Sequence, residues 1–364
     1  MALGNRGIGL ITYARFTHDD GHQLLILREA RDSLAAIDPS EIEASAEAGF
    51  ASHLHSLQAF LENADLGVDV DWDRPSLGRS KREQTYRSWC LRQRLFINPL
   101  NDVWQRPLVA HDVTFLPPLS TPPGPGMPTI VGAFNNLKQE YATARLMLFE
   151  GLTQERPHFS DRGVRLINTL DYPSYGLGRE QVKVAFRMAY SILDKIGFIV
   201  NEYFSLEIKP KDVSFRLLWF TNQNPKQGLR DDLAARPNLP LRGLYWISRD
   251  LFDAGSGLNT AAEPDARHLQ LVRNHIEHRY LKVHDSEWAG PDDESSFTDR
   301  LAYSIRRDDL ERKALRMLKL ARAGLLHLVL AIRVEESRRK PASGAEKGLT
   351  LPMHLDNFDD RWKV

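Results

Sequence analysis

Residues 179–204 read REQVKVAFRMAYSILDKIGFIVNEYF. Val182, Phe186, Ala189, Leu193, Ile196 and Val200 recur at spacings of three and four. On a helix of 3.6 residues per turn they form one apolar stripe, with charged and polar side chains elsewhere. A stripe this long predicts a helix that buries one face against neighbouring helices.

The sequence on either side extends that reading. Helices are expected at Leu137 to Leu152, Ala266 to Val283 and Phe297 to Glu336, and period-two alternation is scarce. Upstream, Leu3 to Phe16 and Gln23 to Ile37 read as a helical hairpin, turned by residues Thr17 to His22 and stopped by Pro39. The hairpin resembles one tetratricopeptide unit, although its Gly and Ala positions fit that consensus in no single register. A helix at the very start is also what a truncated repeat array would show. Glu41 to Glu62 continues as helix, Val68 to Ser80 reads as loop, and the helix from Lys81 to Phe96 closes at Asn98-Pro99-Leu100-Asn101. Between His111 and Pro128 stand Pro117, Pro118, Pro122, Pro123, Pro125 and Pro128, a density no regular element accepts. The expected division is therefore a helical, tetratricopeptide-like region over 1–110, a Pro-rich linker or covering loop over 111–128, a helical bundle over 129–337 and a flexible tail over 338–364. The fold class is all-α.

Composition narrows the function. The single cysteine, Cys90, excludes an intramolecular disulfide and any multi-cysteine zinc module, and its place among apolar and aromatic residues predicts a buried thiol. No secretory leader is expected. The longest apolar run, Gly324 to Ile332, is interrupted by His327 and is too short for a bilayer, so a cytoplasmic protein without a membrane partner is expected. The 48 Lys and Arg balance the 48 Asp and Glu, but the zero is a cancellation. Residues 1–80 hold six basic and thirteen acidic side chains, whereas residues 300–340 hold twelve basic and five acidic. Arg306, Arg307, Arg312, Lys313, Arg316, Lys319 and Arg322 would form a broad basic face that attracts an RNA backbone. No glycine-rich phosphate loop and no aromatic RNA-binding sheet motif is present.

The segment that carries chemistry is Leu271-Val272-Arg273-Asn274-His275-Ile276-Glu277-His278-Arg279-Tyr280. Asn274 and His278 share a helix face, as do Arg273 and Glu277. Arg273 and His278 are offset by about 140° and should flank a groove edge. An Arg, a polar residue and a His four to six residues after the Arg, on a late helix of an α-bundle, resembles the motif of the HEPN superfamily. The stretch Thr169 to Gly178, the runs Phe186 to Ser191 and Asp194-Lys195-Ile196, and Tyr86 to Asp102 look like one bacterial branch of it, whose members often carry tetratricopeptide-like helices upstream. The resemblance extends to about Glu336 and is weakest over the first forty residues.

That resemblance implies a HEPN-like bundle acting as a metal-independent endoribonuclease, of a toxin or antiviral-defence kind. It further implies a homodimer whose cleft joins two copies of the motif, with RNA as substrate and a regulatory protein or antitoxin as partner. Arg273 would contact phosphate and His278 would act as acid or base, chemistry that suits a fixed guanidinium fork and an imidazole titrating near neutrality. Asn274 would orient His278 or touch phosphate, and Arg279 would add to RNA binding. Asp194 would set the angle of Arg273 or pair with a surface base, and Glu277 would support Arg273 or form an ordinary surface ion pair with it. His275 is structural or lines the rim. No cofactor and no metal is expected, although His268, His275 and His278 keep a metal-dependent hydrolase open as an alternative. A non-catalytic HEPN scaffold that binds RNA, nucleotide or a protein is the other.

Overall fold

The computed structural model describes residues 2–17, 19–64, 71, 73, 75–120, 129–252, 266–285, 299, 301–339 and 360–363. Helices α1 (Ala2–Ala14) and α2 (Asp20–Ala35) form the expected hairpin, with the Asp19 side chain accepting from the His22 amide to cap α2. α3 (Ala44–Glu62) and α4 (Lys81–Gln93) follow, and Ser80 caps α4. After two 3₁₀ turns, residues 111–120 run without regular structure, and residues 121–128 of the Pro-rich stretch lie outside the described residues.

The bundle begins with α5 (Thr129–Thr153) and α6 (Leu177–Tyr203), continues through the short α7 (Asp231–Ala234) and α8 (Leu239–Phe252), and reaches α9 (Ala266–His278). Two strands, β1 (Tyr280–His284) and β2 (Ala302–Arg306), precede the long α10 (Arg307–Arg338). The protein is all-α apart from this pair among the described residues. α6 is central: it packs against α5, α10 and α9 and buries all six residues of the predicted stripe.

Close helix crossings explain two glycines. A Cβ on Gly151 of α5 would lie 2.7 Å from the Gly178 carbonyl and 2.8 Å from Val182 Cγ2 on α6. Because the first obstacle is backbone, the helices must move apart to admit it. Gly151→Ala is therefore expected to lower stability by about 1–3 kcal/mol, measured by urea unfolding. An unchanged midpoint would show that the crossing is slack. On α10, Gly324 similarly admits Leu193 and Ile196 of α6.

Three local expectations are corrected. The helix expected over Ala266 to Val283 stops at His278, because Tyr280–His284 is a strand that buries Leu281 to His284 and pairs in parallel with Ala302–Arg306. The helix expected from Phe297 starts only at Arg307 for the same reason. β1 is buried on both faces along Leu281 to His284 and so lacks the alternation that betrays a half-exposed strand, while β2 is five residues long and only partly buried. Helix α8 was not foreseen. Its signals are modest: Asn238 accepts from the Leu241 amide at 3.0 Å as a cap, and Leu241, Leu244, Ile247 and Leu251 make the buried stripe. The expected tail lies mostly outside the described residues, as do residues 297 and 298.

Two guanidiniums tie the segment after α4 to the bundle. Arg145 of α5 forms a two-pronged pair with Asp112 at 2.8 and 2.9 Å and also donates to Tyr86 Oη and the Leu95 carbonyl, each at 2.9 Å. Arg322 of α10 donates to the Phe96 and Asn98 carbonyls and reaches Asp102 at 2.6 Å, while Tyr13 Oη donates to the other Asp102 oxygen. One hydrophobic cluster accordingly runs from α2 and Leu95–Leu100 through α5, α6 and α10. Cys90 is buried as expected, and burial pushes its thiol up to about 12, which leaves it unreactive.

Candidate active site

α9 is amphipathic: Leu269 and Val272 are buried and Ile276 packs beside them, so the adjoining face presents Arg273, Asn274 and Glu277. The helix lies against α6 and α8. His278 is its last residue, and the chain enters β1 two residues later. β1 is firmly held. Lys282 Nζ sits 2.6 Å from Asp171 and 3.3 Å from Asp299, and the Ser174 amide donates to the Val283 carbonyl. The exit from α9, and hence His278, is fixed from the strand side.

Arg273 Nη1 lies 3.3 Å from His278 Nε2 and 3.3 Å from Asn274 Oδ1. The structure thus brings the three motif residues together, the long Arg273 side chain bridging the offset that would have left it at a groove edge. A guanidinium has no lone pair, so Arg273 is the donor and Nε2 the acceptor.

The floor comes from α6. Arg273 Cζ stands 5.4 Å from the Tyr190 ring centroid, a cation–π contact over a buried ring. Burial pushes the Tyr190 phenol up, and the Asp194 carboxylate adds to this while Arg273 and Arg216 oppose it. Asp194, one turn along α6, has its carboxyl raised by burial, an effect partly offset by Arg273 and by the Phe215 amide. Asp194 is therefore within electrostatic reach of Arg273, with no ion pair between them among the described residues. Glu277 is not the partner of Arg273, because it takes Arg187 of α6 at 3.0 Å.

The remaining candidates separate. His275 donates from Nδ1 to the Leu271 carbonyl and stacks on Tyr303 at 4.8 Å, His268 is exposed, and His284 lies buried on β1. No group of three His, Cys, Asp or Glu side chains placed to hold a metal occurs among the described residues. Arg279 is exposed beside His278, its side chain without a partner among the described residues. Along α10 the basic face is threaded with acids: Arg306 pairs with Asp308, Arg307 with Glu311, and both Arg312 and Lys313 with Asp309. Arg316 also has an interaction of its own, and Arg322 is no part of this face, because it is buried against Asp102 and the Phe96 and Asn98 carbonyls. That face offers less unneutralised charge than its count of basic residues.

Sequence reasoning missed Tyr190 and Arg187 as parts of the site. Their signal was present in α6, where Arg187, Tyr190 and Asp194 recur at spacings of three and four on the face opposed to α9.

A family model described as LA2681-like HEPN matches residues 122–335, more than half of the chain, including α5 to α10 and the whole Arg273–His278 segment. The chain belongs to this HEPN family. Neither the curated proteins nor the solved structures gave a match. HEPN domains are nucleotide-related, often ribonucleases, and often bind RNA and dimerise. Among the described residues no helix is long and apolar enough to cross a membrane.

Proposed function

We propose that this HEPN protein is a metal-independent endoribonuclease that cleaves RNA by attack of its own 2′-hydroxyl. It works as a cytoplasmic homodimer and serves as a toxin or antiviral-defence effector under the control of a regulatory protein or antitoxin. The observation that carries the reading is the contact of Arg273 with His278 Nε2, beside Asn274 at the exposed end of α9.

A phosphate entering this corner competes for the Arg273 fork, which binds phosphate oxygens more strongly than a neutral imidazole. Nε2 is then released to take the 2′-hydroxyl proton. The 2′-oxygen forms a bond to phosphorus and the bond from phosphorus to the 5′-oxygen breaks. The departing oxygen collects a proton from His278 of the partner subunit, which enters the step as the imidazolium and leaves it as the free base. Arg273 neutralises the charge that builds on the non-bridging oxygens. The products are a 2′,3′-cyclic phosphate and a 5′-hydroxyl, with no net consumption of the two histidines.

The test is incubation of the purified protein with end-labelled RNA in buffer containing EDTA. Cleavage with cyclic-phosphate and 5′-hydroxyl ends is expected. Intact RNA, or cutting only after a divalent metal is restored, would overturn the reading. RNA that is bound yet uncut would favour the non-catalytic scaffold.

A further inference from the structure

The connection between α6 and α7 delivers a side chain to this same corner from outside the motif. Phe215 is fully buried, and its backbone is clamped from three directions. Its carbonyl accepts from Trp219 Nε1 at 2.7 Å and from Ser248 Oγ at 2.8 Å, and its amide serves the Asp194 carboxylate. The next residue, Arg216, is exposed. Its guanidinium has no hydrogen-bond or ion-pair partner among the described residues. Two aromatic rings link it to Arg273. Arg216 Cζ lies 5.7 Å from the Phe252 ring, Phe252 meets Tyr190 edge to face at 6.4 Å, and Tyr190 underlies Arg273 at 5.4 Å. Both guanidiniums act on the charge of the Tyr190 phenol.

A rigid backbone, an aromatic support and a guanidinium without an acidic partner among the described residues distinguish Arg216 from the cations of α10, each of which has its own partner. A planar fork held in this way suits a phosphate diester oxygen. Resting on the ribonuclease reading, we propose that Arg216 binds the RNA backbone phosphate next to the one held by Arg273. The substrate is accordingly a strand that continues past the cleavage point across the Tyr190–Phe252 pair, and not an isolated dinucleotide.

The experiment measures binding of a fluorescein-labelled single-stranded RNA to the full chain carrying His278→Ala, by anisotropy over a series of salt concentrations. Adding Arg216→Ala is expected to weaken binding and to flatten the plot of log affinity against log salt by about 0.7, the weight of one single-strand phosphate contact. Arg216→Lys, which keeps the charge, is expected to restore most of that slope. An unchanged slope and affinity in Arg216→Ala would overturn the proposal, as would absence of RNA binding in the His278→Ala protein. The two readings fail separately. RNA bound with the Arg216 dependence but never cut by the unsubstituted chain would remove the ribonuclease and leave the phosphate contact. Cutting with no Arg216 dependence would do the reverse.

Discussion

His278→Ala is expected to lower kcat for RNA cleavage by about 10²–10⁴, the range general acid–base catalysis supplies, with little change in stability because the side chain is exposed. The loss should sit in kcat rather than KM, since an imidazole that moves a proton does its work in the transition state. Arg273→Ala should cost about 10²–10³ by removing a donor aimed at developing charge. Arg273→Lys should recover only part of this, because an ammonium cannot span two phosphate oxygens. The check is single-turnover cleavage of labelled RNA, accompanied by urea unfolding of each variant. Growth of cells expressing the unsubstituted and His278→Ala chains gives a second view: arrest only with the former is expected of a toxin. Full cleavage by both Ala variants would remove this corner of α9 as the reacting site.

Arg145→Met is expected to destabilise the protein by about 3–5 kcal/mol, the cost of stranding one member of a buried ion pair. The guanidinium is almost wholly enclosed and satisfies four acceptor oxygens, on Asp112, Tyr86 and Leu95. Removing it leaves Asp112 facing only the Ile97 amide, at 2.6 Å, with Lys138 nearby. Burial by itself would push the Asp112 carboxyl up, but Arg145 and the Ile97 amide outweigh it and hold the group below its usual range. A depressed carboxyl stabilises the fold above the ordinary carboxylate range and loses that contribution as pH falls through the folded value. The difference between native and Arg145→Met chains should therefore shrink in acid. Tyr86→Phe, which deletes one of the four acceptors, should cost only about 1 kcal/mol. Urea midpoints at neutral and acidic pH measure all three effects. A midpoint for Arg145→Met close to the native one would mean that the pair is a late addition to an already stable core.

The helices that bury one face were legible, because a 3.6-residue repeat records one-sided burial directly. The stripe on α6 appears in the structure residue for residue. Strand β1 was not legible, because Leu281, Lys282, Val283 and His284 are all buried and a run covered on both sides carries no period. Lys282 disguised it further, being a cation that survives burial only through Asp171 and Asp299, residues far away or in another loop. Within the site, the spacing of Arg273 and His278 marked the segment, yet helical geometry alone set them apart. The contact depends on side-chain reach, which a wheel of Cα directions omits. Tyr190, Phe252 and Arg216 come from three separate elements, and nothing in their sequence positions says that they adjoin.

The two buried arginines bear on where this molecule begins as a folding unit. The match to the HEPN family starts at residue 122, but the acceptors of Arg145 and Arg322 lie at residues 86–112, before it. A polypeptide restricted to the matched span would enclose two cations with nothing opposite them. Homology and autonomy thus have different borders here. Residues 81–120 supply the counter-charges of the bundle's own interior, and the two stretches are expected to melt as one cooperative body.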